Sequence, residues 1–256
     1  IDFASPEFIR HLIANEAPLI FASCILVLAG FLYKMASAPM HIWAPDVYEA
    51  APIPVIAFLS VAPKVAGLGI LLKFILAINA FGQSSYDWQT ILSGLAILTL
   101  TVGNFSALRQ QNAKRMMAYS SIAQSGFLMI GIVAFLPQGI HFMLFYATVY
   151  LAMNFLVFLY LDFFENRGIS GISAFQGAGK VYTVACVFLL IGLISLTGLP
   201  PTSGFMAKLF VFTALWQAYE LTGKSVLLWL TIFGLLNTVV SLFYYLRIPY
   251  FAFLKS

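Results

Sequence analysis

Residues 31–64 read FLYKMASAPMHIWAPDVYEAAPIPVIAFLSVAPK, and this stretch decides the fold. Lys34 and Lys64 stand near its ends, each within a strongly apolar segment. Between them lie Pro39, Pro45, Pro52 and Pro54, together with His41, Trp43, Asp46 and Glu49. An ammonium is costly to bury in hydrocarbon, so an intramembrane lysine is read first as a functional site. Two of them around a proline-broken helix form the pattern that the rest of the chain must explain.

The surrounding composition is that of a membrane protein. Hydrophobic residues make up 62% and charged residues 9%, whereas soluble domains run at about 45–50% and about 25%. A mean hydropathy of +0.96 and repeated apolar runs of about 20 residues imply a helical bundle in a bilayer. The alternating segments of a transmembrane β-barrel are absent from the sequence. The chain opens on Ile1 with no visible signal peptide, so it is expected to be part of a longer protein. Cys24 and Cys186 fall in apolar segments without a CxxC pair, which reads as buried structural thiols rather than a metal or redox site. The net charge of +4 gathers in a few loops and makes no nucleic-acid-binding stripe.

Hydropathy and proline punctuation divide the chain as follows. A polar stretch over 1–16 precedes a first span at about 17–34, which breaks at Ala38-Pro39. An amphipathic half-helix covers 40–51. Further spans are expected at about 53–79, 88–108, 115–135 and 139–163. The run 181–219 is too long for one straight crossing and contains Thr197-Gly198-Leu199-Pro200-Pro201, so it reads as two half-helices. A seventh span covers about 225–247. The expected fold is an all-α polytopic transmembrane bundle of about seven spans, two of them discontinuous, forming a single membrane domain over 1–256. Arg109, Lys114, Arg115, Arg167, Lys180, Arg247 and Lys255 fall on one side, Arg10 and Lys224 on the other. That asymmetry places the first group inside.

Discontinuous helices point to a transport site, because freed backbone groups are tolerated only beside protein or water. Lys34 precedes the first break, where snorkelling to an interface is the competing reading. Lys64 lies eleven residues into its span, roughly 16 Å deep at 1.5 Å per residue, which is too deep to snorkel. Pro63 before it is expected to disturb the helical ladder and open room for water. Lys208 follows Pro201 by seven residues, with Gly204 one turn earlier. The lysines thus stand on opposite sides of their breaks, as an inverted repeat would leave them. Three groups able to switch between charged and neutral forms would make a proton relay.

Other polar residues divide between function and packing. His41 either bridges the lysines through water or sits at an interface beside Trp43, and interfacial placement suits His141. Asp46 and Glu49 read as structural, and Asn154 and Asn237 as helix–helix hydrogen-bonding groups. Ser120, Ser121, Gln124 and Ser125 form a polar patch that either lines a wet path or packs helices. The sequence carries no nucleotide-binding loop, cysteine cluster, haem-type histidine pair or catalytic triad. Its chemistry is therefore expected to be ion movement.

Four stretches carry a specific resemblance: KMASAPMHIWAPDVYEAAPIPVIAFLSVAPK, NAKRMMAYSSIAQSGF, SLTGLPPTSGFMAKLFVF and SLFYYLRIPY. Over essentially its whole length the chain resembles the antiporter-like membrane subunits of proton-pumping NADH:quinone oxidoreductase (respiratory complex I). Among them it is most similar to the subunit N type, called NADH dehydrogenase subunit 2 in mitochondria. The resemblance implies that Lys34 is the lysine of the first broken helix, Lys64 the central lysine of the next helix, and Lys208 the lysine of the second broken helix. Lysine rather than glutamate at 208 favours the N type over the sister M type. Ser121, Gln124 and His41 become possible relay members, although the family often carries histidine where this chain has Gln124. The family pairs its first lysine with a glutamate on an earlier helix, which implies helices before this segment and a further one after it.

By the same resemblance, protons enter from the inner side, pass Lys34, Lys64 and Lys208, and leave outward, driven by quinone reduction elsewhere in the complex. The chain would be a translocase subunit holding no cofactor or metal, with NADH, FMN, iron–sulfur clusters and quinone on partner subunits. Its partners would be the other membrane subunits of complex I and the lipid bilayer, with no nucleic acid. Its place would be a bacterial inner membrane rather than a mitochondrial one. Two alternatives stand beside this reading: a membrane subunit of a cation/proton antiporter, and a structural scaffold with neutral packing lysines.

Overall fold

A computed structural model describes residues 18–80 and 86–255. Long apolar runs with punctuated ends fold as α1 (Pro18–Lys34), α2 (Trp43–Ala50), α3 (Ile53–Ala80), α4 (Trp88–Leu108), α5 (Ala113–Val133), α6 (Pro137–Glu165), α7 (Thr183–Thr197), α8 (Ser203–Thr222) and α9 (Ser225–Tyr245). Short helical turns occupy 172–175, 178–181 and 247–254. Among the described residues there is no strand, only an isolated bridge between Asn112 and Gly171.

The ends follow capping chemistry. The Asp87 carboxylate accepts the Thr90 N–H at 3.2 Å to start α4. Asn112 Oδ1 accepts from the backbone of Lys114 at 2.8 Å and Arg115 at 3.3 Å to start α5. Pro137 opens α6, where its missing N–H costs nothing. Among the described residues five segments are long and apolar enough to cross a membrane: Ile53–Ala77, Trp88–Leu108, Ala113–Val133, Pro137–Glu165 and Ser225–Leu254. The broken pairs α1–α2 and α7–α8 supply the other two crossings, in the places that the prolines marked.

The two breaks are built alike. Beyond α1 the backbone turns left-handed at Ala36 (φ 52°), and beyond α7 at Gly198 (φ 84°). A cis peptide bond follows each, at Ala38–Pro39 and at Pro200–Pro201. The Ala38 N–H left over by the first break donates to Thr99 Oγ1 on α4 at 3.1 Å. By contrast α3 runs unbroken through Pro63. Pro63 has no N–H to give the ladder, so one hydrogen bond is missing there, yet the helix continues on both sides of it.

At the centre stands α5. Within its spanning window 94% of residues are buried, against 33–50% in the other four spans. The two faces of the bundle are tied by ions. On one face Lys114 pairs with Glu165 at 2.8 Å, Arg115 pairs with Asp46 and Glu49, and the Arg247 guanidinium donates to the carbonyls of Leu108 (3.0 Å) and Gln110 (2.8 Å). On the other, Lys224 pairs with Asp87 at 2.7 Å. Burial pushes the Asp87 carboxyl up, but the hydrogen bond from Lys224 and those from Thr90 outweigh it and hold the group below its ordinary value.

The second break depends on Gly204. A side-chain carbon there would sit 1.8 Å from the Ser195 carbonyl oxygen, and backbone cannot yield as a flexible side chain can. Gly204→Ala is expected to destabilise the detergent-solubilised protein by about 1–3 kcal/mol or more, read as a lower thermal midpoint. Gly94→Ala, where a new carbon meets nothing within 4 Å, is the control and is expected to leave the midpoint in place.

Candidate functional site

The centre of α5 carries Ser120, Ser121, Gln124 and Ser125, all buried. In a membrane interior each of these groups must find its partner within the protein. Lys64 of α3 is 1% exposed, and its Nζ donates to the Ser121 carbonyl oxygen, to Ser121 Oγ at 3.1 Å and to Ser125 Oγ at 2.9 Å. Its surroundings are neutral oxygens. Ser125 Oγ in turn donates to the Met35 carbonyl at 3.0 Å, which belongs to the first break. Ser121 Oγ lies 3.3 Å from the hydroxyl of Tyr48, a fully buried residue of α2.

One turn along α5, Gln124 performs the matching task at the second break. Its Nε2 donates to the Leu196 carbonyl at 3.1 Å and to the Tyr245 hydroxyl at 3.4 Å. Its Oε1 accepts from the Tyr146 hydroxyl, and Tyr245 also bonds Ser120 Oγ. The next carbonyl, that of Thr197, accepts from Lys208 Nζ at 2.7 Å. Lys208 of α8 is 4% exposed, and its ammonium stands 4.2 Å from the ring centroid of Phe127, again on α5. A free carbonyl at the C-terminal end of a helix and an aromatic face are both good acceptors for a cation without a carboxylate. One helix therefore touches both buried lysines and both breaks.

The predicted site residues separate accordingly. Lys64, Lys208, Ser121 and Gln124 meet along α5. Lys34 does not join them: it ends α1, is exposed, and its stem passes within 3.9 Å of where a side chain on Gly67 would stand. His41 is half-buried in the turn before α2, with its Nδ1 enclosed and without a hydrogen-bond partner among the described residues. Asn237 bonds Asn104 at 3.1 Å, which also accepts from Tyr244 at 2.9 Å, so these groups tie α4 to α9.

Several members escaped the sequence reading: Tyr48, Tyr146, Tyr150, Tyr245, Ser60 and Phe127. The Tyr150 hydroxyl donates to the Ser60 carbonyl at 3.2 Å, and Asn154 Nδ2 donates to Ser60 Oγ, one turn before Lys64 on α3. A usable signal was present, since Tyr146, Tyr150 and Asn154 recur every fourth residue and so share one face of α6. Lys73 was also passed over. It is exposed on α3, nine residues beyond Lys64.

The family described as NADH:quinone oxidoreductase/Mrp antiporter, TM, matches residues 7–234. This chain belongs to that family. It is 39% identical to NADH-quinone oxidoreductase subunit N 2 of Chloroherpeton thalassium, an alignment covering 99% of this chain and 50% of the relative. Among solved structures, respiratory complex I from Thermus thermophilus with bound Aureothin contains a chain matched with TM-score 0.75 and 31% identity, over 94% of this chain and 51% of the other. The Mrp complex from Dietzia sp. DQ12-45-1b is matched with TM-score 0.79 and 23% identity, over 95% and 44%, a likeness of fold alone. The chain spans about half the length of the curated relatives it matches. Bacterial members of this family and the spanning helices place it as a multi-pass protein of a bacterial inner membrane.

Gln124→Leu would strand the Tyr146 hydroxyl and the Leu196 carbonyl in a dry interior. Each buried unsatisfied group costs about 1–3 kcal/mol, so a clear fall in thermal midpoint is expected. Gln124→Glu and Gln124→His keep hydrogen-bonding atoms at the position and are expected to fall less. Equal losses in all three variants would mean that packing, not hydrogen bonding, sets the requirement.

Proposed function

We propose that this chain is a proton-conducting membrane module of the subunit N type in NADH:quinone oxidoreductase. It would move protons along buried lysines while quinone is reduced elsewhere in the complex. The single observation that carries the reading is that one buried helix, α5, meets both buried lysines and both breaks. On that helix Ser121 and Ser125 meet Lys64, Gln124 meets the Leu196 carbonyl, and the Phe127 ring lies beside Lys208, whose Nζ donates to the next carbonyl, that of Thr197. Two buried ammonium groups without a carboxylate partner are poor structural elements, since burial of unpaired charge is costly. They make good proton carriers, because each sits among neutral acceptors, hydroxyls and a carbonyl at Lys64 and a carbonyl and an aromatic face at Lys208, that hold an ammonium and release an amine.

Lys64 is the central exchange point in this proposal. Tyr48, Ser60, Tyr150 and Asn154 lie toward the inner face from it, Gln124 and Lys208 toward the second break. Lys34 enters the line from its exposed position, and by the family's pattern its counter-charge comes from a glutamate on another helix. His41, Ser121 and Gln124 support transfer as hydrogen-bonding groups. NADH, FMN, iron–sulfur clusters and quinone belong on partner subunits, and the neighbours of this chain are other membrane subunits and lipid. Its residues 1–256 act as one membrane domain. The chain contributes to a translocase without redox chemistry of its own.

A second reading, a membrane subunit of a cation/proton antiporter, is favoured by the fold shared with the Mrp complex. The names and higher identities of the curated relatives support the first. The test is Lys64→Ala in the assembled complex, with protons moved per NADH oxidised measured in proteoliposomes. A lowered proton yield with normal assembly is expected. Normal pumping with normal assembly would sink the proposal.

A further inference from the structure

The half-helix α2 carries groups that the proton line does not use. Asp46 and Glu49, three residues apart, share the outer side of α2 and both meet Arg115 at the start of α5. Arg115 Nη1 lies 2.6 Å from Glu49 Oε2 and Nη2 lies 3.1 Å from Asp46 Oδ1. Asn112 Nδ2 reaches Glu49 Oε1 at 3.5 Å, and Lys114 Nζ reaches the Ala51 carbonyl at 3.4 Å. The opposite side of the same eight-residue helix is buried and ends in Tyr48, in contact with the Ser121 hydroxyl that holds Lys64.

A helix of this length is not stable alone, and α2 has no side-chain N-cap, so its position depends on what it rests against. Its two holds differ in kind. Tyr48 is fully enclosed, whereas the side chains of Arg115, Glu49 and Asp46 are 34%, 41% and 72% exposed. Ion pairs this open to water are weak and screened by salt. Such a hold is well suited to being made and released.

We infer that Arg115, with Asp46 and Glu49, is a latch on the inner face. Closed, it seats α2 so that Tyr48 covers Lys64. Released, it lets α2 lift and opens Lys64 to the inner aqueous phase. Arg115 is thus a positioning residue that acts through Tyr48. The inference rests on the proposed proton role of Lys64 and adds to it the element that governs access.

The test is passive proton leak into proteoliposomes holding the assembled complex at rest, without NADH. Arg115→Glu repels both acids and is expected to raise the leak several-fold over the native complex. Arg115→Glu combined with Glu49→Arg restores the attraction and is expected to return the leak to the native level. Adding Lys64→Ala to Arg115→Glu is expected to remove the leak, since the opened path leads to that lysine. If Arg115→Glu does not assemble, Asp46→Asn with Glu49→Gln, which keeps shape and removes charge, opens the same latch and is read in the same way. An assembled, uncharged or charge-reversed variant as tight as the native complex overturns the latch, as does a leak that survives Lys64→Ala. A tight Arg115→Glu complex beside a non-pumping Lys64→Ala complex overturns the latch alone. Normal NADH-driven pumping in Lys64→Ala overturns the proton role and the latch with it.

Discussion

The structure depends on one constraint: a nearly all-buried helix, α5, must satisfy its polar side chains without water. Its hydroxyls and amide at 120, 121, 124 and 125 select what packs around them. Tyr48, Lys64, Tyr146 and Tyr245 arrive from α2, α3, α6 and α9, each bringing a polar atom to the polar side chains of α5. An unpaired polar group in this setting costs as much as several good apolar contacts contribute. The polar line is therefore a structural requirement before it is a functional one.

The breaks obey the same logic. A helix that stops inside a bilayer leaves carbonyls bare, and here they face α5. Met35 is answered by Ser125, Leu196 by Gln124, and Thr197 by Lys208. The carbonyl ends of the two breaks thus meet different parts of one central helix. Charge, hydroxyl and broken backbone are thereby gathered along one helix. Nothing in this arrangement needs a carboxylate at the centre. Among the described residues the paired acids stand at the surfaces, where Asp46, Glu49 and Glu165 serve one face and Asp87 the other.

Much of this was legible in the sequence, for reasons that can be named. The breaks were marked by Pro39 and by Pro200-Pro201, since proline both lacks a donor and restricts its predecessor. Lys64 and Lys208 stood out because ammonium groups are rare in apolar runs. Pro63 marked a missing ladder bond but not a helix end, because α3 continues through it. Lys34 at a span end and Lys64 at mid-span already differed in the sequence, and the packing gives the same order, an exposed helix end against an enclosed site. The tyrosines were hidden by their double nature: an aromatic ring reads as core, and only the fold shows where its hydroxyl lands. Asp46 and Glu49 read as structural acids apart from the relay, and their link to Lys64 through Tyr48 crosses three elements and leaves no local trace.

The central claim is that Lys64 and Lys208 lie on one path joined by α5, not on two. The most direct measurement compares protons moved per NADH oxidised in assembled complexes carrying Lys64→Met, Lys208→Met, or both. Sites in series predict that each single change removes the same share of the proton yield and that the double change removes no more. Losses that add in the double variant would contradict the account, since they would mean that the two lysines serve separate routes.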